Sequence, residues 1–243
     1  MDTLTISAAS GMRARMESLD LLANNLANTE TGGYKTDREF YNLYVSAEAA
    51  GTETEAPATL PVIERSWTDF SQGSLRVTGA PMDLALSGRG FFAVDGPAGS
   101  LFTRNGGFRA SAGGSLVTAE GYPVRTVSGG NLKIQPSGEL QFASDGTVRQ
   151  NGQTLGRLEI ADFPDSASLV KQGASYFVSS AASQAAAGAQ VEQGKLESSN
   201  VGAAESAVRL VSVMRQFEML QKAANLGSQM NRSAIEEVAR VAS

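Results

Sequence analysis

Between Thr3 and Asn28 the apolar residues Met12, Met16, Leu19, Ala23 and Leu26 recur at alternating spacings of four and three. The stretch has no proline and Gly11 is its only glycine, so it predicts an amphipathic helix with a coiled-coil-like stripe. Such a helix is roughly 39 Å long, more than a small domain can cover, and therefore calls for a second helix alongside. The candidate is the other end of the chain. From Val201 to about Ala239 there is again no proline, and Ala204, Val208, Val211, Met214, Phe217 and Leu220 are read as one broad apolar face. Glu205 with Arg209, Glu218 with Lys222 and Glu236 with Arg240 supply Glu-to-cation pairs in the favourable i, i+4 order.

The periodicity changes between these ends. Thr29 to Gly33 is a polar, glycine-containing break, and Ser46 to Pro61 is rich in Ala, Thr, Glu, Gly and Pro without a repeat. Residues 29–66 thus read as an extended connector with short strands around Phe40 to Val45. Short β-favouring runs follow: Phe91 to Val94, Leu101 to Thr103, Leu116 to Thr118, Leu132 to Ile134, Leu140 to Phe142, Leu158 to Ile160 and Tyr176 to Val178. Asp95-Gly96, Asn105-Gly106, Asp145-Gly146 and Asn151-Gly152 punctuate them as predicted hairpin turns. The Ala/Ser/Gln/Gly-rich stretch after Ser179 predicts a second flexible segment. The expected fold is α+β: terminal helices pairing as a coiled-coil-like core, with an inserted all-β domain. Its segments are an N-terminal assembly helix at 1–28, the connector at 29–66, the β-domain at 67–180, a flexible connector at 181–199 and a C-terminal assembly helix at 200–243.

Composition narrows the chemistry. Among 243 residues, 42% are hydrophobic, enough for a real core, and 26 glycines suit a turn-rich β region. Lys and Arg number 20 against 25 Asp and Glu, with no basic cluster of the kind that binds phosphate backbones, so no nucleic-acid partner is expected. No run approaches the roughly 20 apolar residues of a membrane span, and the N-terminus lacks the pattern of a cleaved signal. With no Cys and no His, thiol nucleophiles, Cys or His metal ligands and imidazole catalysis are excluded. The remaining enzymatic reading rests on carboxylates such as Asp83, Asp95, Asp145 and Asp162, residue types that commonly serve as backbone-bonding turn residues. Gly88-Arg89-Gly90 lacks the third glycine and the context of a dinucleotide fingerprint. No catalytic residue, metal ligand, cofactor or small-molecule substrate is expected. Two binding alternatives stay open. One is a non-flagellar periplasmic or surface module, a carbohydrate- or peptidoglycan-binding β-domain displayed on a helical oligomer, for which Trp67 is the only tryptophan available; the other is a closed coiled-coil dimer.

At the end of the first helix stands Ala23-Asn24-Asn25-Leu26-Ala27-Asn28-Thr29-Glu30-Thr31-Gly32-Gly33-Tyr34-Lys35. Asn and Thr side chains there can bond local backbone, and a glycine can take the left-handed conformation that stops a helix. This segment closely resembles the N-terminal signature of the flagellar rod, hook and hook-associated axial proteins. Two further blocks are similar to the same family. One is Phe70-Ser71-Gln72-Gly73-Ser74-Leu75 with Asp83-Leu84-Ala85-Leu86-Ser87-Gly88-Arg89-Gly90-Phe91-Phe92; the other is Leu196-Glu197-Ser198-Ser199-Asn200-Val201. Within the family, the short length and Arg215-Gln216-Phe217-Glu218-Met219 are more similar to the proximal than to the distal rod proteins. Glu30, Ser199 and the Ala-rich 179–194 depart from the family pattern.

The resemblance implies a structural subunit of the basal-body rod, exported by the flagellar secretion apparatus without a cleaved signal. Its partners would be copies of itself and other rod proteins, and its location the periplasmic rod. The terminal helices would form an inner tube and the β-domain lie outside. The assembly interface expected on this basis comprises Met12, Met16, Leu19, Asn24, Asn25, Leu26, Asn28, Gly33, Tyr34, Leu196, Asn200, Val201, Val211, Met214 and Phe217, with Lys35 carried over from the motif.

Overall fold

The computed structural model describes residues 3–45, 59–135, 138–173 and 175–241. In chain order its elements are α1 (Thr3–Ala27), β1 (Asp37–Val45), β2 (Thr59–Thr68), β3 (Leu75–Val77), β4 (Leu84–Ser87), β5 (Phe91–Gly96), β6 (Gly99–Thr103), β7 (Arg109–Ala110) and β8 (Leu116–Val117). They continue with β9 (Leu140–Phe142), β10 (Thr147–Gln150), β11 (Gln153–Arg157), β12 (Ile160–Asp162), β13 (Leu169–Gln172), β14 (Tyr176–Ser179), β15 (Gln184–Ala185), β16 (Gln190–Gln193), β17 (Lys195–Glu197) and α2 (Ala203–Val241). The chain forms two compact units, one of residues 1–27, 37–68 and 202–243, the other of residues 28–36 and 69–201.

In the first unit α1 packs on α2 and on an antiparallel hairpin of β1 and β2. Within the connector expected at 29–66, residues 37–45 and 59–66 are instead paired strands, with the strand expected at Phe40 to Val45 inside β1; residues 29–36 belong to the second unit, and residues 46–58 lie outside the described residues. Helix direction follows from shared contacts. Ser18 Oγ donates to Glu39 Oε1 at 3.0 Å and Arg209 Nη2 to the same atom at 2.8 Å, whereas Gly11 lies against Leu220. Stepping back along α1 thus means stepping forward along α2, so the helices are antiparallel.

The buried face of α1 is Ala8, Gly11, Ala14, Ser18, Leu22 and Asn25. It differs from the stripe read from sequence, which sits about 100° around the helix. Small residues let the elements approach closely, and a Cβ on Gly11 would stand 3.3 Å from Leu220 Cδ1. Larger apolar residues are left at the flank. The α2 reading fails for a different reason. Steps of three advance 300° around a helix, so Val208, Val211, Met214, Phe217 and Leu220 precess instead of sharing a face. Val208, Val211 and Met214 are 72%, 48% and 47% exposed, while Phe217 and Leu220 are half-buried and Val213 is the buried contact.

The second unit is antiparallel throughout its ladders. Its main sheet has the order β13-β14-β6-β5-β12-β15; a three-stranded sheet β11-β10-β9 and the pairs β16-β4, β17-β3 and β7-β8 complete it. Strand β5 is buried on both faces. Phe92 and Val94 join one core with Leu84, Leu86, Leu116 and Leu158, while Phe91 and Ala93 join another with Phe102, Phe163 and Phe177. Edge-on ring contacts at 4.8–6.2 Å knit the second core.

Two of the four expected turn dipeptides make turns. Asn151 (φ 51°) and Gly152 (φ 79°) link β10 to β11 between Gln150 and Gln153, and Gly146 (φ 84°) closes the turn before β10. Asp95 and Gly96 instead belong to β5, and the chain turns at Pro97 and Ala98. Gly106 is a close-approach site: an added Cβ would meet the Leu84 carbonyl oxygen at 1.7 Å. Leu132 and Ile134 are buried but form no named strand; Lys133 makes a single bridge to Ser115. The segment 181–199, expected as flexible, holds β15, β16 and β17, which pair with β12, β4 and β3. Its small side chains gave no alternation to read, yet open backbone donors and acceptors on three strands accept it.

Candidate functional site: assembly faces and a buried ion cluster

The apolar positions that α1 and α2 leave uncovered lie on the first unit. Met16 is 55% exposed, and Met12, Leu19 and Leu26 on the same stripe are half-buried. On α2, Met219 and Met230 are 61% and 72% exposed and Leu226 is exposed with them. Sequence reasoning missed these three, although the signal was present. Val208, Met219 and Met230 are spaced by eleven, a step that returns to within about 20° of the same azimuth, so they form a line running roughly 33 Å along the helix. An open apolar groove of about 570 Å³ follows its first part, lined by Ala207, Val208, Val211, Ser212, Arg215, Gln216 and Met219.

The motif residues turn inward. Asn25 clamps the start of β1, its Nδ2 donating to the Asp37 carbonyl at 2.8 Å while its Oδ1 accepts from the Asp37 amide at 3.0 Å. Asn28 Oδ1 accepts from Thr31 Oγ1 at 3.0 Å, and its carbonyl from Thr31 N at 3.2 Å, which stabilises the turn after α1. Asn24 is exposed. Gly33 has φ 67°, and an added Cβ would fall 2.4 Å from Arg104 C and Asn105 N, so glycine is required there twice over. Tyr34 is fully buried, with Lys171 Nζ 4.2 Å from its ring centre. Leu196 and Val201 are half-buried.

At the point where chain segments enter and leave the second unit lies a buried ion cluster. Glu197 and Lys35 are fully buried and Arg104 nearly so. Glu197 Oε1 accepts from Lys35 Nζ at 2.6 Å and from Gly73 N at 2.9 Å, while Oε2 accepts from Arg104 Nη1 at 3.2 Å. Lys35 also donates to the Ser71 carbonyl at 2.6 Å, and Arg104 Nη2 to the Gly88 carbonyl at 2.7 Å. Two cations thus face one carboxylate, and burial holds both Lys35 and Arg104 below their ordinary pKa values, with Glu197 opposing the shift. Asn200 completes the arrangement. Its Oδ1 accepts from Thr36 N and Thr36 Oγ1, both at 2.8 Å, and its Nδ2 donates to the carbonyls of Asp69 at 2.8 Å and Ser71 at 3.1 Å. Lys35, Arg104 and Glu197 were not read as a cluster, because Lys35 and Glu197 are 162 positions apart.

The carboxylates considered for catalysis do other work. Asp145 accepts from the Thr147 amide and hydroxyl, which holds its carboxyl below the usual range. Asp95 lies 3.6 Å from Arg125 and Asp162 3.7 Å from Arg89, while Asp83 makes a backbone bridge to Gly107. Among the described residues there is no cluster of acidic side chains that could hold a metal, and no helix long and apolar enough to cross a membrane.

Two family models match the chain: the flagellar hook protein FlgE/F/G D1 domain over residues 85–154, and the flagellar basal body rod FlgEFG protein C-terminal model over residues 192–237. A flagellar basal-body rod protein FlgF of Caulobacter vibrioides is 30% identical, with 99% of each chain covered. A flagellar basal-body rod protein FlgG of Buchnera aphidicola is 30% identical over 90% of this chain and 94% of the relative. That of Bacillus subtilis is 31% identical over 89% and 91%.

Proposed function

The chain belongs to the flagellar basal-body rod protein family, a structural and non-enzymatic family, and we propose that it polymerises through its terminal helices into a helical tube that crosses the periplasm and transmits torque to the hook. The observation that carries this reading is the apolar line left open on α2, from Val208 through Met219 to Met230, together with Met16 on the flank of α1. A helix pair that has buried one face and keeps a second apolar face in water gains by meeting another helix. Each such side chain, once covered, contributes roughly 1.5–3 kcal/mol, so a few contacts repeated along a lattice offset the entropy of ordering. Partners on this reading are copies of the same chain and other rod proteins, related by a rotation and translation that does not close. Export on this reading proceeds through the flagellar secretion apparatus. The proximal position in the rod is favoured over the distal one by the resemblance of Arg215-Gln216-Phe217-Glu218-Met219 to the proximal rod proteins.

The test is deletion of the gene in its host, with complementation by wild type and by a Met219→Asp, Met230→Asp double variant. Both methionines are exposed in the single chain, so the variant leaves its fold intact and removes only what a neighbour would cover. Electron microscopy of purified basal bodies should show incomplete rods in the deletion strain and in the variant, and complete rods with wild type. A swimming deletion strain with normal basal bodies overturns the assignment, and full rods built from the double variant overturn the role of the α2 line.

A further inference from the structure

Four backbone crossings join the second unit to the first, after residues 27, 36, 68 and 201. A body held by four strands can be loaded through all of them together or through whichever is tightest. Cross-links on the second unit's own side of these crossings decide between the two. Gly33 N donates to the Glu197 carbonyl at 2.8 Å, joining the first segment in to the last segment out. Asp69 N donates to the Thr36 carbonyl at 2.8 Å, and Ser198 N to the Ser74 carbonyl at 2.9 Å. Asn200 then bonds Thr36 with one end of its amide and Asp69 and Ser71 with the other. Glu197 joins Lys35, Gly73 and Arg104, and so anchors the same segments to β6 and its neighbours through a charged and therefore stronger set of bonds. A Cβ on Gly73 would lie 2.0 Å from the Ser198 carbonyl oxygen, so the segments are in backbone contact.

We propose that Asn200 and Glu197 are positioning residues that tie the four crossings into one load-sharing neck, so that force passes into the second unit through all four strands at once. The inference rests on the torque-bearing reading given above. It goes beyond assembly, because the polymerising faces lie on the helices whereas the neck lies wholly within the second unit. Hydrogen bonds coupled in one network resist as a set, and losing the central member leaves each crossing to strain separately.

The experiment compares wild type with Asn200→Ala, which deletes all the amide bonds, and Asn200→Asp, which keeps an acceptor for Thr36 and loses the donor to Asp69 and Ser71. In the purified chain, hydrogen exchange at the amide of Thr36, whose acceptor Asn200→Ala removes, should rise roughly tenfold. Exchange in β5 and β6 should be unchanged. In cells both variants should build rods in normal number, yet rotation of tethered cells should match wild type only at low viscous load and fail or shed filaments at high load. Asn200→Asp should fall between Asn200→Ala and wild type. Wild-type torque at every load in both variants overturns the neck, as does a slower-than-wild-type motor whose deficit is the same at all loads. If Asn200→Ala lowers rod number, the decision passes to Asn200→Asp: a load-dependent deficit supports the neck and its absence overturns it. A deletion strain that swims normally would sink the rod reading itself, and so the two failures are distinct.

Discussion

Glu197→Gln is the sharpest perturbation of the second unit. The carboxylate is fully buried and holds Lys35 and Arg104 with one oxygen each, the Lys35 oxygen also accepting from Gly73 N. Glutamine keeps one acceptor, which can stay with Lys35 and Gly73, but turns an amide NH2 toward the Arg104 guanidinium, donor against donor. It also strips the carboxylate charge that pairs both buried cations. Removing one partner of a buried ion pair costs about 3–5 kcal/mol, against a total of about 5–15 kcal/mol for a domain. At ~2–4 °C per kcal/mol for this size the unfolding midpoint should fall by about 6–20 °C. The assay is thermal unfolding followed by near-ultraviolet circular dichroism, with Trp67 fluorescence, which reports β2 in the first unit, as the internal reference. A double-mutant cycle with Lys35→Met apportions the effect, and the double variant should be less destabilised than the sum of the singles. A loss below about 1 kcal/mol, the range of an exposed pair, would refute the reasoning.

Gly73→Ala should be destabilising by about 1–3 kcal/mol in urea unfolding, since its Cβ would meet the backbone oxygen of Ser198 at 2.0 Å; Gly113→Ala, whose Cβ would come no nearer than 3.9 Å to Ser111 Oγ, should be near neutral and serves as the control. Burial holds the Lys35 ammonium below its ordinary value of 10.5, so between the two values the unfolded chain binds more protons than the folded one. The contribution of Lys35 should therefore make the second unit more stable as pH rises toward 10.5, and Lys35→Met should lack this increment when the two are compared across urea titrations.

Local signals and long-range ones had different fates. Both helices were readable within a few residues because proline-free, strongly patterned stretches need no tertiary information, and Asn151-Gly152 because a two-residue turn with positive φ is determined on the spot. Which face each helix buries was not readable. Burial on α1 selects small residues that permit approach, not the largest apolar ones, and on α2 a chain of three-residue steps winds around the helix. The strands at 184–197 escaped notice because Ala, Gly and Gln carry no alternation, their order being conferred by β12, β4 and β3. Both phenylalanines of β5 are core residues, a two-sided burial that a strand with one wet face would not show.

The signature residues and the apolar stripes divide the work in a way that neither shows alone. Asn25, Gly33, Tyr34, Lys35, Glu197 and Asn200 spend their side chains or their lack of one inside the chain, so the effect of substituting them is felt within the subunit before any neighbour is met. Met16, Val208, Met219 and Met230 engage little within it and are free to be covered. A small or polar residue is required where geometry is exacting, as at a glycine whose Cβ would strike backbone at 2.4 Å, whereas an apolar line tolerates exchange of one hydrophobe for another of similar volume. The rod reading therefore separates two classes of variant. Those at the neck should show their defect already in the isolated chain, as faster exchange or lower stability, and those on the α2 line should leave the isolated chain intact and fail only on assembly.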